Sequence, residues 1–174
     1  MSNYDYKSGN PAVYVGTYGK YNNGDISGEW VDLTDYDNAE DFFEYCHEIH
    51  SDEEDPEFMF QDYENFPEQM YCESMSAKDL EPILRYAQLK DYQREVFDAY
   101  IGYFGYDENQ DIDDIYDKYH GEADNEEDFA ERILDECYPD IPEFARRYFD
   151  IKAFACDLFM SDYVFCDGHV FSSY

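Results

Sequence analysis

The groups in this 174-residue chain that could do chemistry are its carboxylates, two closely spaced histidines and five cysteines. Asp107-Glu108-Asn109-Gln110-Asp111 opens like a calcium loop, which takes oxygen ligands from alternate positions. Ile112 then stands where that loop needs glycine and Lys118 where it needs a bidentate glutamate, so the loop is not expected to bind. His47 and His50 lie three apart and could share a metal with Glu44 or Asp52, but without a clear third ligand they read as two surface histidines on a polar face. Cys46, Cys72, Cys137, Cys156 and Cys166 contain no Cys-x-x-Cys pair. Several fall on apolar faces, Cys46 beside Phe42 and Ile49, and read as buried thiols rather than nucleophiles. Carboxylate pairs for glycosidic chemistry can be drawn anywhere among 44 acids and so discriminate nothing; Gly-rich phosphate loops are absent. The sequence therefore names no catalytic residue, no metal ligand and no cofactor, and the chain does not read as an enzyme.

What remains is charge. Forty-four acidic against eleven basic residues give a net charge of −33, and the sequence pI is near 4.1. Such an imbalance opposes compaction by self-repulsion, yet 20% of the residues are aromatic and 44% hydrophobic, enough to fill a core. The expectation is a folded protein with a polyanionic surface. Between Lys20 and Lys78 there is no basic residue, while eighteen acids occur from Asp25 to Glu73; eleven more from Asp107 to Asp128 meet only Lys118. An acidic run on one helix is ordinarily a solvated face, but solubility needs a net charge of only about 2–8 in a small domain.

The elements that must carry this charge follow from periodicity and capping. Residues 1–10 read as a flexible leader. Ala12 to Tyr18 and Ile26 to Leu33 are strand-like around the turn-rich Tyr21-Asn22-Asn23-Gly24-Asp25, a hairpin signal. Asp37 and Glu40 are spaced as a capping box for a helix to about His50, and Glu57 to Tyr63 adds a strand. A second section, 66–106, holds a short helix capped by Asp79, with Pro82 in its first turn, running to Lys90. The central helix follows, from Asp91 as cap to Gly105 as stop, with Phe97, Tyr100, Ile101 and Phe104 inward. The third section, 107–174, holds a helix from Asp111 to His120 stopped by Gly121, another behind an Asp124/Glu127 capping box, and a last one from Asp150 with Ile151, Phe154, Ala155 and Leu158 inward. It closes on a hairpin turning at Asp167-Gly168. The expected class is α+β, with small antiparallel sheets toward both ends and a helical centre: an N-terminal hairpin/helix/strand module over 11–65, a central helical module and a C-terminal module. No positively charged apolar leader opens the chain and no apolar run approaches ~18 residues, so the cytoplasm is the expected compartment and no membrane partner is expected.

Duplex DNA carries one negative charge per about 1.7 Å of axis, so 33 charges correspond to roughly 16 base pairs. Glu40, Glu44 and Glu48 form an i, i+4 row with a pitch of about 6 Å, which copies about every second phosphate of one strand. A convincing decoy then needs several acidic elements side by side. The candidates are Glu40, Asp41, Glu44 and Glu48 on the first helix; Asp52, Glu53, Glu54, Asp55 and Glu57 after it; and Asp62 and Glu64 at the end of the following strand and just past it. In the last section they are Asp107, Glu108, Asp111, Asp113, Asp114, Asp117, Glu122, Asp124, Glu126, Glu127 and Asp128. The reading is a mimic of DNA that occupies a basic groove and binds no nucleic acid itself.

Val13-Tyr14-Val15-Gly16-Thr17-Tyr18-Gly19-Lys20-Tyr21-Asn22-Asn23-Gly24, with Gly28-Glu29-Trp30 after it, resembles the start of the ArdA antirestriction proteins. So do Asp55-Pro56-Glu57-Phe58-Met59-Phe60-Gln61-Asp62-Tyr63-Glu64, Tyr119-His120-Gly121-Glu122 and Ala153-Phe154-Ala155-Cys156-Asp157-Leu158. The resemblance implies an elongated homodimeric DNA mimic that binds the methyltransferase core of type I restriction-modification enzymes in a bacterial host cell and protects incoming DNA. It also implies that the central Glu95-Val96-Phe97-Asp98-Ala99-Tyr100 belongs to an antirestriction motif linked to dimer contacts and activity. Charge alone leaves open a mimic of DNA aimed at another DNA-binding protein or defence nuclease, an acidic calcium-binding protein, and a halophilic structural protein.

Overall fold

The structure, a computed structural model, describes residues 9–174, so the expected leader lies outside the described residues except for Gly9 and Asn10. The described residues form two compact units that divide between Arg94 and Glu95.

In the first unit the apolar run from Ala12 forms β1 (Ala12–Thr17), and it is buried because it lies between two neighbours. Strands β2 (Glu29–Asp32) and β3 (Phe58–Glu64) pair with it antiparallel on either side, Val13 opposite both Val31 and Tyr63. A bulge sets Tyr14 against Asp62 but Val15 against Phe60, leaving Gln61 as the extra residue. The β1–β2 connection is not the expected Asn-Gly turn. Thr17 accepts from the Lys20 amide and starts a short helix, α1 (Tyr18–Asn22), so Asn23 serves as a helix C-cap instead of a hairpin corner.

Helix α2 (Ala39–Ile49) begins one residue late relative to the sequence reading. Asn38, not Asp37, is the cap, and its side chain accepts from the Asp41 amide at 2.9 Å. Ala39, Phe42 and Cys46 turn inward, and Phe42 meets Phe60 of β3 at 6.0 Å. Helix α3 (Ala77–Ala87) is capped by Ser76 with Asp79 in the reciprocal position of a capping box. Asp79 is therefore the third helical residue and Pro82 sits inside the helix, where its missing N–H forgoes the bond to the Lys78 carbonyl. Leu80, Ile83 and Leu84 complete this core.

Helix α4 (Asp91–Phe104) crosses the boundary between the units. Lys90 takes the cap position expected of Asp91: its carbonyl accepts from the Gln93 and Arg94 amides, and Gln93 Oε1 accepts from the Lys90 N–H. Gly105 stops the helix with φ +85°. Val96, Phe97, Ala99, Tyr100 and Ile101 are buried; Phe104, expected inward, stays exposed and stacks on Tyr100 at 4.5 Å.

In the second unit α5 (Ile112–Asp117) ends earlier than expected. The residues read as its last turn form β4 (Tyr119–Glu122), because strand pairing outcompetes one more helical turn. Helix α6 (Glu126–Cys137) is capped by Asn125 rather than Asp124, a short α7 (Glu143–Arg146) follows Pro142, and α8 (Ile151–Ser161) is capped by Asp150 as expected. Of the expected inward set on α8 only Ala155 is buried; Ile151, Phe154 and Leu158 are half-buried. Strands β5 (Tyr163–Cys166) and β6 (His169–Ser172) form the expected hairpin, with both Asp167 and Gly168 at positive φ. β6 is central, in the order β4-β6-β5. Phe129 on α6 packs against Phe159 at 5.6 Å and Tyr163 at 4.9 Å. Eight helices and two three-stranded antiparallel sheets among the described residues make the fold α+β.

Candidate functional site

Twenty of the twenty-two acidic side chains that the sequence singles out are exposed; Glu53 and Glu64 are half-buried. Local folding explains how so much like charge is carried. Glu40 and Asp41 lie in the first turn of α2, Asp113 and Asp114 in that of α5, and Glu126, Glu127 and Asp128 in that of α6. Free amides and the positive end of the helix dipole favour carboxylates there. Glu44 and Glu48 continue from Glu40 along the exposed side of α2, opposite Phe42 and Cys46. Asp111 caps α5 by accepting from the Asp113 amide, and Asp107 accepts from Asn109, whose backbone amide holds that carboxyl below its usual range.

The loop after α2 is tied more tightly than its composition suggests. Lys20 donates to Asp52 Oδ1 at 2.8 Å, which holds the Asp52 carboxyl below its usual range. Thr17 Oγ1 donates to Glu53 Oε1 at 2.7 Å, and the Tyr18 amide donates to the Glu57 carbonyl at 2.9 Å. His50, read from sequence as a surface residue, is only 2% exposed. Its ring bridges Lys20 Nζ at 3.0 Å and the Val15 carbonyl at 3.1 Å, so the histidine is part of the core and not a ligand. His47 is exposed and packs on Phe58 at 4.8 Å. The thiols also divide: Cys46 is buried and its acidity suppressed by burial, whereas Cys72, Cys137 and Cys156 are exposed, contrary to the reading of buried thiols. Among the described residues no group of three or more His, Cys, Asp or Glu side chains is placed to hold a metal ion, and no helix is long and apolar enough to cross a membrane.

Within the second unit an open cleft of about 440 Å³ gathers Glu95, Glu122, Asp124, Asp128 and Asp167 around His169. Four of these carboxylates were nominated from sequence. From sequence Asp167 is legible only as a turn residue, because its nearness to Glu122 depends on β4 pairing with β6. Along the motif helix Glu95 and Asp98 are exposed, while Val96, Phe97, Ala99 and Tyr100 are buried. Tyr100 accepts from Gln110 at 3.0 Å and Lys118 at 3.3 Å and meets Phe171 edge-on at 5.3 Å. Half of this hexapeptide and more is thus core.

Several cations are turned inward. In the pairs Lys20–Asp52, Arg94–Asp91 and Arg146–Asp135 the base is the less exposed partner, 16% against 64% in the first. Arg94 donates to the Ala87 carbonyl at 2.7 Å. Arg132 lies over the Phe129 ring and donates to the carbonyls of His120 and Glu122 at 2.9 and 3.0 Å. Lys78, Arg85, Lys90, Arg147 and Lys152 stay exposed, so the outward charge is predominantly, not wholly, negative. No curated protein sequence matches this chain. The family model described as Antirestriction protein (ArdA) matches residues 13–171, nearly the whole length, and the chain belongs to that family.

Proposed function

We propose that this protein inhibits restriction by mimicking DNA: its acidic faces occupy the DNA-binding groove of the methyltransferase core of type I restriction-modification enzymes in the bacterial cytoplasm, and it performs no catalysis. The observation that carries the reading is the exposure of twenty nominated carboxylates on two units while cations such as Lys20, Arg94 and Arg132 are engaged inward. A groove built to exchange counterions for phosphates meets the same trade in such a surface.

The reading includes a homodimer. Two copies of net charge −33 repel, so they meet best where positive and negative charges balance. Ile141 to Met160 carries three cations and three carboxylates and exposes Phe144 and Tyr148, at 71% and 87%. That stretch is the dimer face in this reading.

The test is competition. A type I methyltransferase core on its labelled target duplex is titrated with this protein at low and moderate salt. Displacement near stoichiometric amounts, weakening as salt rises, is expected. No displacement, or a response flat in salt, overturns the reading.

A further inference from the structure

The loop from His50 to Glu57 places Asp52, Glu53, Glu54, Asp55 and Glu57 within six residues, and no lysine or arginine occurs in sequence between Lys20 and Lys78. Like charges at this density drive a loop to spread unless something holds it. The structure supplies a clamp from the β1–α1 corner. Thr17, fully buried, donates to Glu53 while accepting from the Lys20 amide at 3.1 Å. The Tyr18 amide takes the Glu57 carbonyl, and the Glu53 amide takes the His50 carbonyl at 3.0 Å. At the centre lies the Lys20 ammonium, with its side chain only 16% exposed and bonded at once to the His50 ring and to Asp52.

A largely buried ammonium is retained only where its partners are fixed. Here they stand at the two ends of one short turn, His50 as the C-cap of α2 and Asp52 two residues on. We infer that Lys20 is a positioning residue for the acidic surface: it locks the turn after α2 so that the carboxylates of Asp52 to Glu57 are presented in one arrangement to the basic groove of the partner. This rests on the DNA-mimic reading for its purpose, but the clamp itself does not.

The sign of the charge change makes the inference testable. Lys20→Met adds one unit of net negative charge, and by charge alone it would bind a basic groove more tightly. If Lys20 positions the loop, the variant binds more weakly. The experiment uses the full chain as wild type, Lys20→Met, Lys20→Arg and Asp52→Asn. It reads amide hydrogen exchange over residues 50–57 and displacement of a labelled duplex from a type I methyltransferase core. Expected for Lys20→Met are exchange at least tenfold faster at 50–57, with β1 and α3 protected as before, and displacement about tenfold weaker. Lys20→Arg recovers most of both, and Asp52→Asn gives the exchange effect in part, which keeps the clamp testable if Lys20→Met fails to fold.

Unchanged exchange at 50–57 overturns the clamp. Faster exchange with unchanged or tighter displacement overturns the positioning role. If the wild type itself displaces no duplex, the DNA-mimic reading fails and the positioning role with it, while the exchange arm still decides the clamp.

Discussion

Lys20 Nζ lies 3.0 Å from His50 Nδ1, and because an ammonium only donates, the contact leaves Nδ1 bare and puts the ring proton on Nε2, from which it is donated to the Val15 carbonyl. One imidazole thus joins helix α2, strand β1 and the cation of α1. His50→Ala removes a fully packed ring, takes the ring donor from the Val15 carbonyl and leaves the Lys20 ammonium with Asp52 alone of its two partners. The expected loss is about 2–4 kcal/mol of folding free energy, measured by chemical denaturation. A loss below about 0.5 kcal/mol would show that water replaces the ring freely.

Gly28, next to β2, is required for a different reason. A Cβ there would lie 2.3 Å from the Val15 carbonyl oxygen and 2.8 Å from the Tyr14 ring. Neither the central strand nor a packed aromatic yields easily, so Gly28→Ala is expected to cost about 1–3 kcal/mol. Gly102 in α4 has nothing within 4 Å of its added Cβ. Its replacement by alanine should stabilise by about 0.5–1 kcal/mol, and paired thermal melts check both.

The carboxylate row on α2 is the most direct probe of the acidic surface. Glu40, Glu44 and Glu48 are exposed and lie opposite the buried side of the helix. Changing all three to glutamine is expected to weaken displacement of duplex about tenfold, at about 0.5 kcal/mol per exposed charge, with the unfolding midpoint nearly unmoved. Unchanged displacement would remove this row from the contact.

Asp79 gives a pH dependence. The Ser76 hydroxyl and amide both donate to its carboxylate, which holds it below the usual aspartate range. A carboxyl whose folded value is depressed contributes stability above its unfolded value of about 3.9, and loses it as pH falls through the folded value. Asp79→Ala, which removes the reciprocal half of the capping box and leaves the Ser76 cap, should therefore cost up to about 1 kcal/mol at pH 7. The difference from wild type should close as the pH drops well below 4, as read by urea titrations across that range.

Association is the remaining prediction. If the proposed dimer forms through this face, Phe144→Ser with Tyr148→Ser, both exposed and outside the described cores, shifts sedimentation from dimer to monomer without loss of helix content. A dimer that survives the double substitution places the contact elsewhere.

The sequence made the element types legible wherever apolar period and caps agreed: β1, α2, α4, α6, α8 and the closing hairpin are found where periodicity puts them. Boundaries moved by one residue where two adjacent caps competed, Asp37 against Asn38 and Asp124 against Asn125, and Asn won both times. What stayed hidden depends on long-range pairing. Tyr119-His120-Gly121-Glu122 becomes a strand only because β6 is there to receive it, and Asp167 joins the acidic cleft only through that pairing. His50 looked like a surface residue because its partners, Lys20 and Val15, are 30 and 35 positions away. The acidic surface, by contrast, was almost wholly legible, since exposure is the default for a carboxylate.

Strand β4 lies at the edge of its sheet, and an edge strand offers bare carbonyls to any strand of another molecule. Arg132 reaches from α6 to occupy those of His120 and Glu122. With these two carbonyls already accepting from the guanidinium, fewer acceptors on this edge are left to pair with a strand of another molecule.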